Sequence, residues 1–234
     1  MVRRPAVAAL VLAAGRGERL GQSSSKAFVT LDGRTLLEWS IRALAASKPI
    51  DRIVPVIAER DMAAFVALRR SLVDLSTLAE PVLGGDERQD SMQAGLASLP
   101  EEMEIVAVHD AARCLVDPSD VGRVILAALE TGAAILGERV RDTIKRVDGG
   151  RILETPDRAM LWAAQTPQVF RRDWLEWATS EAARLGKRAT DDAALVEAQG
   201  HVVSMIEVRH PNLKITRPED LVYARVLLET RGER

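Results

Sequence analysis

Apolar positions along the chain alternate between two periods. Residues 6–12 are apolar without a break and stop short of Gly15, which predicts a strand buried on both faces. Residues 35–46 place apolar side chains at 36, 37, 41 and 44, the spacing of a helix. The pattern then repeats. Residues 52–58 predict a strand, and 61–72 a helix carrying Met62, Phe65, Val66 and Leu72; 81–83 predict a short strand and 90–99 a helix. Residues 105–108 predict a strand that runs straight into His109-Asp110-Ala111-Ala112-Arg113. Residues 118–130 predict a helix with Asp117 as its N-cap, and 133–136 a further strand. Strands that alternate with helices in this way form a parallel sheet covered by helices. The expected fold class is α/β: a Rossmann-like, mostly parallel sheet with helices on both faces.

The alternation breaks after Val140. Thr143-Ile144-Lys145-Arg146-Val147, the turn Asp148-Gly149-Gly150, and Arg151-Ile152-Leu153-Glu154-Thr155 predict a β-hairpin, part of a protruding arm over about residues 139–160. It is too rich in charge to stand alone. It is either a mobile flap or a segment that pairs with a partner chain, and pairing with a second copy is favoured. Helical spacing resumes at 172–185 and 191–199, a late strand is expected at 201–208, and 218–229 form a closing helix with Pro218 at its first position.

In parallel sheets ligands bind outside the carboxyl ends of the strands. Three polar loops are expected there, at 15–26, 84–91 and 109–113. The first carries Gly15, Gly17 and Gly21 among Arg16, Arg19 and Lys26. Glycine brings backbone N–H groups close to a ligand and the cations supply charge, so the loop reads as a phosphate cradle. It is not the dinucleotide fingerprint, whose third glycine would fall at Leu20, nor a P-loop, because no glycine in it precedes a lysine. Asp110, at a strand end, is placed to hold Mg²⁺ against substrate phosphates. Asp86 follows two glycines and can face a base edge. Asn212, Lys214 and Thr216 alternate on an extended segment and share one face.

Composition narrows the chemistry. The chain has 234 residues, nearly half of them apolar, with few aromatics. Its 32 Lys and Arg against 34 Asp and Glu give a net charge of −2, which argues against a general nucleic-acid binder but allows a local basic pocket. The single cysteine, Cys114, forms no internal disulfide and suits a cytoplasmic enzyme, most simply as a small buried apolar residue. No run spans a bilayer; Arg3-Arg4 before the apolar stretch imitates a signal peptide, but cleavage after it would discard the first strand. His109, His201 and His210 form no metal or nucleophile–base spacing. A reaction without a strong base fits: attack by a phosphate monoester on the α-phosphorus of a nucleotide needs only positioning and charge neutralisation.

Six motifs, in order and spanning most of the chain, carry a resemblance. They are Leu12-Ala13-Ala14-Gly15-Arg16-Gly17-Glu18-Arg19-Leu20-Gly21 with Lys26; Gly84-Gly85-Asp86-Glu87-Arg88-Gln89-Asp90-Ser91; His109 to Arg113; Val140-Arg141-Asp142-Thr143; Thr166-Pro167-Gln168; and Leu213-Lys214-Ile215-Thr216-Arg217-Pro218-Glu219-Asp220-Leu221. The chain resembles the sugar-phosphate nucleotidylyltransferases and, among them, the 2-C-methyl-D-erythritol 4-phosphate cytidylyltransferases of the non-mevalonate isoprenoid pathway. The resemblance implies one nucleotidyltransferase domain over 1–234, transfer of CMP from CTP to methylerythritol phosphate with Mg²⁺, and a homodimer joined by the arms. It implies that Arg19 and Lys26 stabilise the transition state on the triphosphate, that Ala13, Ala14 and Gly15 line the nucleotide, and that Gly85, Asp86 and Ser91 read cytosine. Ala111 would lie beside the ribose and Asp110 would hold the metal. Thr143, Arg158, Thr166 and Lys214 would position the acceptor, Arg158 from its own subunit or from the partner, with Arg113 and Thr216 in support. Ser25, Ala27 and Cys114 depart from residues common in the family: Pro, Gln and Pro. Two other readings are a pentitol-phosphate cytidylyltransferase and a nucleotide-binding module without turnover.

Overall fold

The run at 6–12 forms the strand Ala6–Leu12 (β1), and residues 7–11 are fully buried. The structure, a computed structural model, describes residues 3–15 and 25–232. β1 lies between two parallel neighbours, Arg52–Ile57 (β4) and Met103–Asp110 (β6). The hairpin Thr30–Leu31 (β2) and Arg34–Thr35 (β3) is a separate two-stranded unit. Val82–Leu83 (β5) extends the main sheet beyond β4. Ala133–Arg139 (β7), Trp162–Arg171 (β10) and Ser204–Glu207 (β11) complete seven strands in the order β11-β7-β10-β6-β1-β4-β5.

The period of two along β1 sorts the core. Val7, Ala9 and Val11 face Leu36–Ala45 (α1), Met62–Arg69 (α2) and Pro118–Thr131 (α4). Ala8 and Leu10 face Arg88–Ala97 (α3), Arg172–Arg184 (α5) and Asp192–Glu197 (α6). Successive strand side chains point to opposite faces, so a strand apolar at every position needs helices on both. Asp117 caps α4 by accepting from the Ser119 N–H, with Pro118 in the first turn. Pro218–Arg231 (α7) closes a third cluster with β2, Cys114, Leu115 and Ile215. Cys114 is buried, as expected, and burial pushes its thiol up to about 12.

Two expectations about the main sheet are corrected. The ten-residue strand β10 is not among the elements that the pattern predicts. It runs antiparallel between β6 and β7, so the sheet is mixed at that side. Pro167 argues against a strand because proline cannot donate to a ladder. Here the register with β7 shifts between Ala164 and Gln168, so Pro167 sits in the break and needs no partner. Asp110 does not follow its strand; it is the last residue of β6.

The arm forms as Arg146–Asp148 (β8) and Arg151–Glu154 (β9), joined by Gly149 and Gly150, both at positive φ. Two successive positive φ values make the tight hairpin turn that glycine tolerates best. The ladder is shorter than expected and starts at Arg146 rather than Thr143. Extending its register would set Ile144 against Pro156, which has no N–H to give. Every residue from 141 to 155 is exposed.

Candidate active site

Three strand ends open on one side of the sheet, and backbone bonds hold their tips together. Ala13 N–H donates to Val56 O at 2.8 Å, Gly84 N–H to Ile57 O at 2.8 Å, and Ala111 N–H to Leu12 O at 3.1 Å. The strands thus continue their pairing one residue into the loops. Ile215 N–H donates to Ala112 O at 2.8 Å, which lays the segment after Asn212 across the same crevice. Ser25 Oγ donates to Gly15 O at 3.2 Å and joins the two described ends of the first loop.

The result is a cavity of about 510 Å³, within the usual range for a small-molecule site. It brings together Ala13, Ala14, Gly15, Lys26, Gly85, Asp86, Ser91, Asp110, Ala111 and Lys214, and also Thr216. The three loops therefore converge as expected. Arg19 lies outside the described residues. Thr166 is buried and does not line the cavity; its hydroxyl accepts from the Asp110 N–H at 3.0 Å. Thr143 and Arg158 are not among the lining residues; they lie on the exposed arm, where Arg158 Nη1 donates to Arg141 O at 2.8 Å. Arg113 donates to the carbonyls of Asn212 and Ala164, so it ties the 212–216 segment to β10.

At the centre is Asp110. Lys214 Nζ lies 2.6 Å from its Oδ2 and Arg88 Nε 3.2 Å from its Oδ1. Burial pushes this carboxyl up, but Arg88 and Lys214 outweigh burial and hold it well below the usual carboxylate range. It is an ionised acceptor at any working pH. Arg88 also holds the buried Asp192 with two bonds of 2.8 Å. Burial works against the guanidinium charge, and Asp192 and Asp110 more than restore it. Burial likewise pushes Asp192 up, against the pull of the two bonds that Arg88 donates to its carboxylate oxygens.

Arg88 stands inside a quoted motif but has no role in the motif reading, and Asp192 has no place in it at all. Arg88 has one signal, a cation three residues after Gly85 in a loop at a strand end. Asp192 has none, because its partner is 104 residues away.

His109 is fully buried beside Asp110. Thr166 Oγ1 accepts the Asp110 N–H, so its own hydrogen is available to His109 Nδ1 at 3.1 Å, a pairing that suits neutral imidazole. Burial lowers this histidine from 6.5 to about 4. Between those two values the unfolded chain binds the extra proton, so stability should fall as pH drops from 6.5 to 4 and then stop falling on this account. The expected loss is roughly 3 kcal/mol. Asp110, depressed when folded, adds its own loss at lower pH still, as acid protonates its unfolded-state value. Urea midpoints across pH 7 to 4 check this; midpoints that stay level would contradict it.

Gly84 offers a second check. A Cβ there would meet Ala14 Cβ at 2.5 Å and Ser91 Oγ at 2.7 Å, both rigidly placed beside the cavity. Gly84→Ala should spread these loops at a cost of about 1–3 kcal/mol, weakening binding of the nucleotide that the resemblance implies by roughly tenfold or more. Calorimetric titration with CTP reads it directly.

A mostly parallel α/β sheet with glycine loops, cations and the ionised Asp110 at its strand tips is the arrangement expected of a nucleotidyltransferase. Residues 7–230 match the family IspD: 2-C-methyl-D-erythritol 4-phosphate cytidylyltransferase, and the chain belongs to that family. It is 42% identical over 228 residues to the 2-C-methyl-D-erythritol 4-phosphate cytidylyltransferase of Syntrophotalea carbinolica, covering 96% of this chain and 97% of the relative. It is 39% identical over 221 residues to that of Bacillus velezensis, covering 94% of each. Among solved structures, the Thermus thermophilus enzyme of this name superposes with a TM-score of 0.76 at 33% identity, over 96% of this chain and 99% of that one. The 4-diphosphocytidyl-2C-methyl-D-erythritol synthase of Anaerococcus prevotii reaches a TM-score of 0.85 at 26% identity, covering 96% of both.

Proposed function

We propose that this enzyme transfers the cytidylyl group of CTP to 2-C-methyl-D-erythritol 4-phosphate, releasing pyrophosphate. The family match over almost the whole chain carries the reading. The acceptor phosphate is largely dianionic near neutral pH and needs no general base. Its oxygen attacks the α-phosphorus of CTP, a bond to that phosphorus forms, and the bond to the β-phosphate oxygen breaks. The protein's part is to align the groups and to neutralise the charge that grows on the phosphoryl oxygens. Lys26, with Arg19 from the same loop, meets the triphosphate. Ala13, Ala14, Gly15, Gly85, Asp86, Ser91 and Ala111 line the nucleoside. Lys214, Thr166, Thr143 and Arg158 orient the acceptor.

Mg²⁺ fits the donor set. Asp110 is a hard, ionised oxygen ligand in the wall of a cavity lined by cations, and Mg²⁺ in nucleotide sites takes one or two carboxylates, with waters and substrate oxygens for the rest. When bound, the ion would offset charge on the triphosphate oxygens. Lys214 would then turn from Asp110 towards a phosphate. No helix among the described residues is long and apolar enough to cross a membrane, and a triphosphate substrate with one buried thiol suits the cytoplasm. We assign the arm to a homodimer contact: Val147, Ile152 and Leu153 are more than half exposed on a two-stranded ladder that cannot bury them itself.

The test is pyrophosphate release from CTP across a panel of polyol phosphates. Turnover with methylerythritol phosphate well above ribitol 5-phosphate, and with CTP above ATP, is expected. Silence with methylerythritol phosphate, or indifference between CTP and ATP, would sink the assignment.

A further inference from the structure

The charge cluster behind Asp110 contains a residue for which the reaction has no direct use. Asp192 is 1% exposed and opens α6. Arg88 gives it both terminal nitrogens, each at 2.8 Å, and gives Asp110 only Nε, at 3.2 Å. The guanidinium is planar and rigid, so fixing two of its nitrogens fixes where the third points. α6 is itself anchored: Gln168 Oε1 on β10 accepts the Asp192 and Ala193 N–H groups at 3.0 Å, and its amide donates to Asp191 at 2.8 Å. The other cation on Asp110, Lys214, has a side chain 43% exposed. Asp110 therefore sits between one cation that is locked in place and one that can swing away.

We propose that Asp192 is a positioning residue that acts through Arg88 to keep Asp110 able to take a divalent cation. This rests on reading Asp110 as the metal carboxylate. Asp192 cancels the charge of Arg88, so once Lys214 turns to the phosphates Asp110 still presents a negative charge. With Asp192 neutral, the bare guanidinium would cancel Asp110 instead, and an approaching dication would meet no net attraction. The rigid grip adds geometry: it holds Arg88 against one carboxylate oxygen and leaves the other for the cavity.

The experiment measures binding of Mn²⁺ in the presence of CTP, followed by the electron paramagnetic resonance of free Mn²⁺ and with no acceptor added. Asp192→Asn should weaken Mn²⁺ binding about tenfold, while Asp192→Glu, which keeps the charge, should stay within about threefold of the parent. The double variant Arg88→Gln/Asp192→Asn removes the uncovered cation as well and should bind Mn²⁺ clearly better than Asp192→Asn alone. Loss of packing would not produce that recovery. Unchanged Mn²⁺ binding in Asp192→Asn, or equal weakness in the single and double variants, would overturn the proposal. Where Asp192→Asn loses its melting transition, Arg88→Lys carries the comparison. One ammonium cannot hold Asp192 twice and reach Asp110 too, so its Mn²⁺ binding should shift, and unchanged binding again counts against the idea. A parent protein inactive on methylerythritol phosphate, yet with Mn²⁺ binding that depends on Asp192, would sink the substrate assignment alone. Normal turnover with Mn²⁺ binding indifferent to Asp192 would sink this inference alone.

Discussion

Lys26→Ala should lower kcat by about 10²–10³ while changing the KM for CTP far less. The asymmetry follows from when the charge matters. The triphosphate is anionic from the moment it binds, and the backbone loops and other cations share its ground-state charge. In transfer, negative charge builds on the oxygens around the α-phosphorus and on the departing pyrophosphate, and a fixed cation there stabilises the transition state more than the bound substrate. Lys26 is suited to be fixed. It opens a short turn of helix, Lys26–Phe28, whose next residue Ala27 is buried in the core, and the preceding Ser25 is buried and bonded back to Gly15. The side chain lines the cavity from a backbone that has little room to shift. Single-turnover kinetics separate binding from chemistry. An increase confined to KM would make Lys26 a ground-state anchor and remove it from the chemistry. Lys26→Arg should recover part of the rate, since it restores the charge in a different shape.

The parts of this site that the sequence reveals are those encoded by local pattern. β1 is legible because a strand buried on both faces has no polar position to confuse it, and the alternation after it gives the parallel sheet. Once the sheet is parallel, the strand tips must gather on one side, and so Gly15, Lys26, Asp86, Ser91 and Asp110 meet without any knowledge of their contacts. Lys214 is legible for a related reason. The alternation of Asn212, Lys214 and Thr216 marks an extended segment; Lys214 and Thr216 line the crevice, whereas Asn212 is buried and donates to Thr166 O.

Other features are illegible because nothing local encodes them. β10 carries a proline whose ladder partner happens to be missing at that point, a fact of register rather than of composition. The Arg88–Asp192 pair joins residues 104 apart. A charged residue at the start of α6 reads as an ordinary first-turn acid, and only the fold shows that it is buried against a cation.

Arg158→Ala should chiefly weaken binding of the acceptor phosphate, and mixing that variant with Lys26→Ala should restore activity. Thr143 and Arg158 belong to an arm whose exposed residues do not line the cavity of their own chain, while Lys214, assigned to the same acceptor, lines it and Thr166 is buried behind Asp110. An arm with exposed Val147, Ile152, Leu153 and Met160 gains most by lying on a second copy, which would carry Arg158 to the neighbouring cavity. If each site takes Lys26 from one subunit and Arg158 from the other, a mixed dimer of the two variants has one site with both residues intact and one with neither. Half of a randomly exchanged population is mixed, so at an acceptor concentration far below the Arg158→Ala KM about one quarter of parental activity should return, from two variants that are each almost inactive there. If Arg158 serves its own subunit, every site in every dimer keeps one defect and nothing returns. Co-refolding equal amounts and measuring pyrophosphate release decides between the two. Loss of CTP affinity alone in Arg158→Ala would refute its placement at the acceptor.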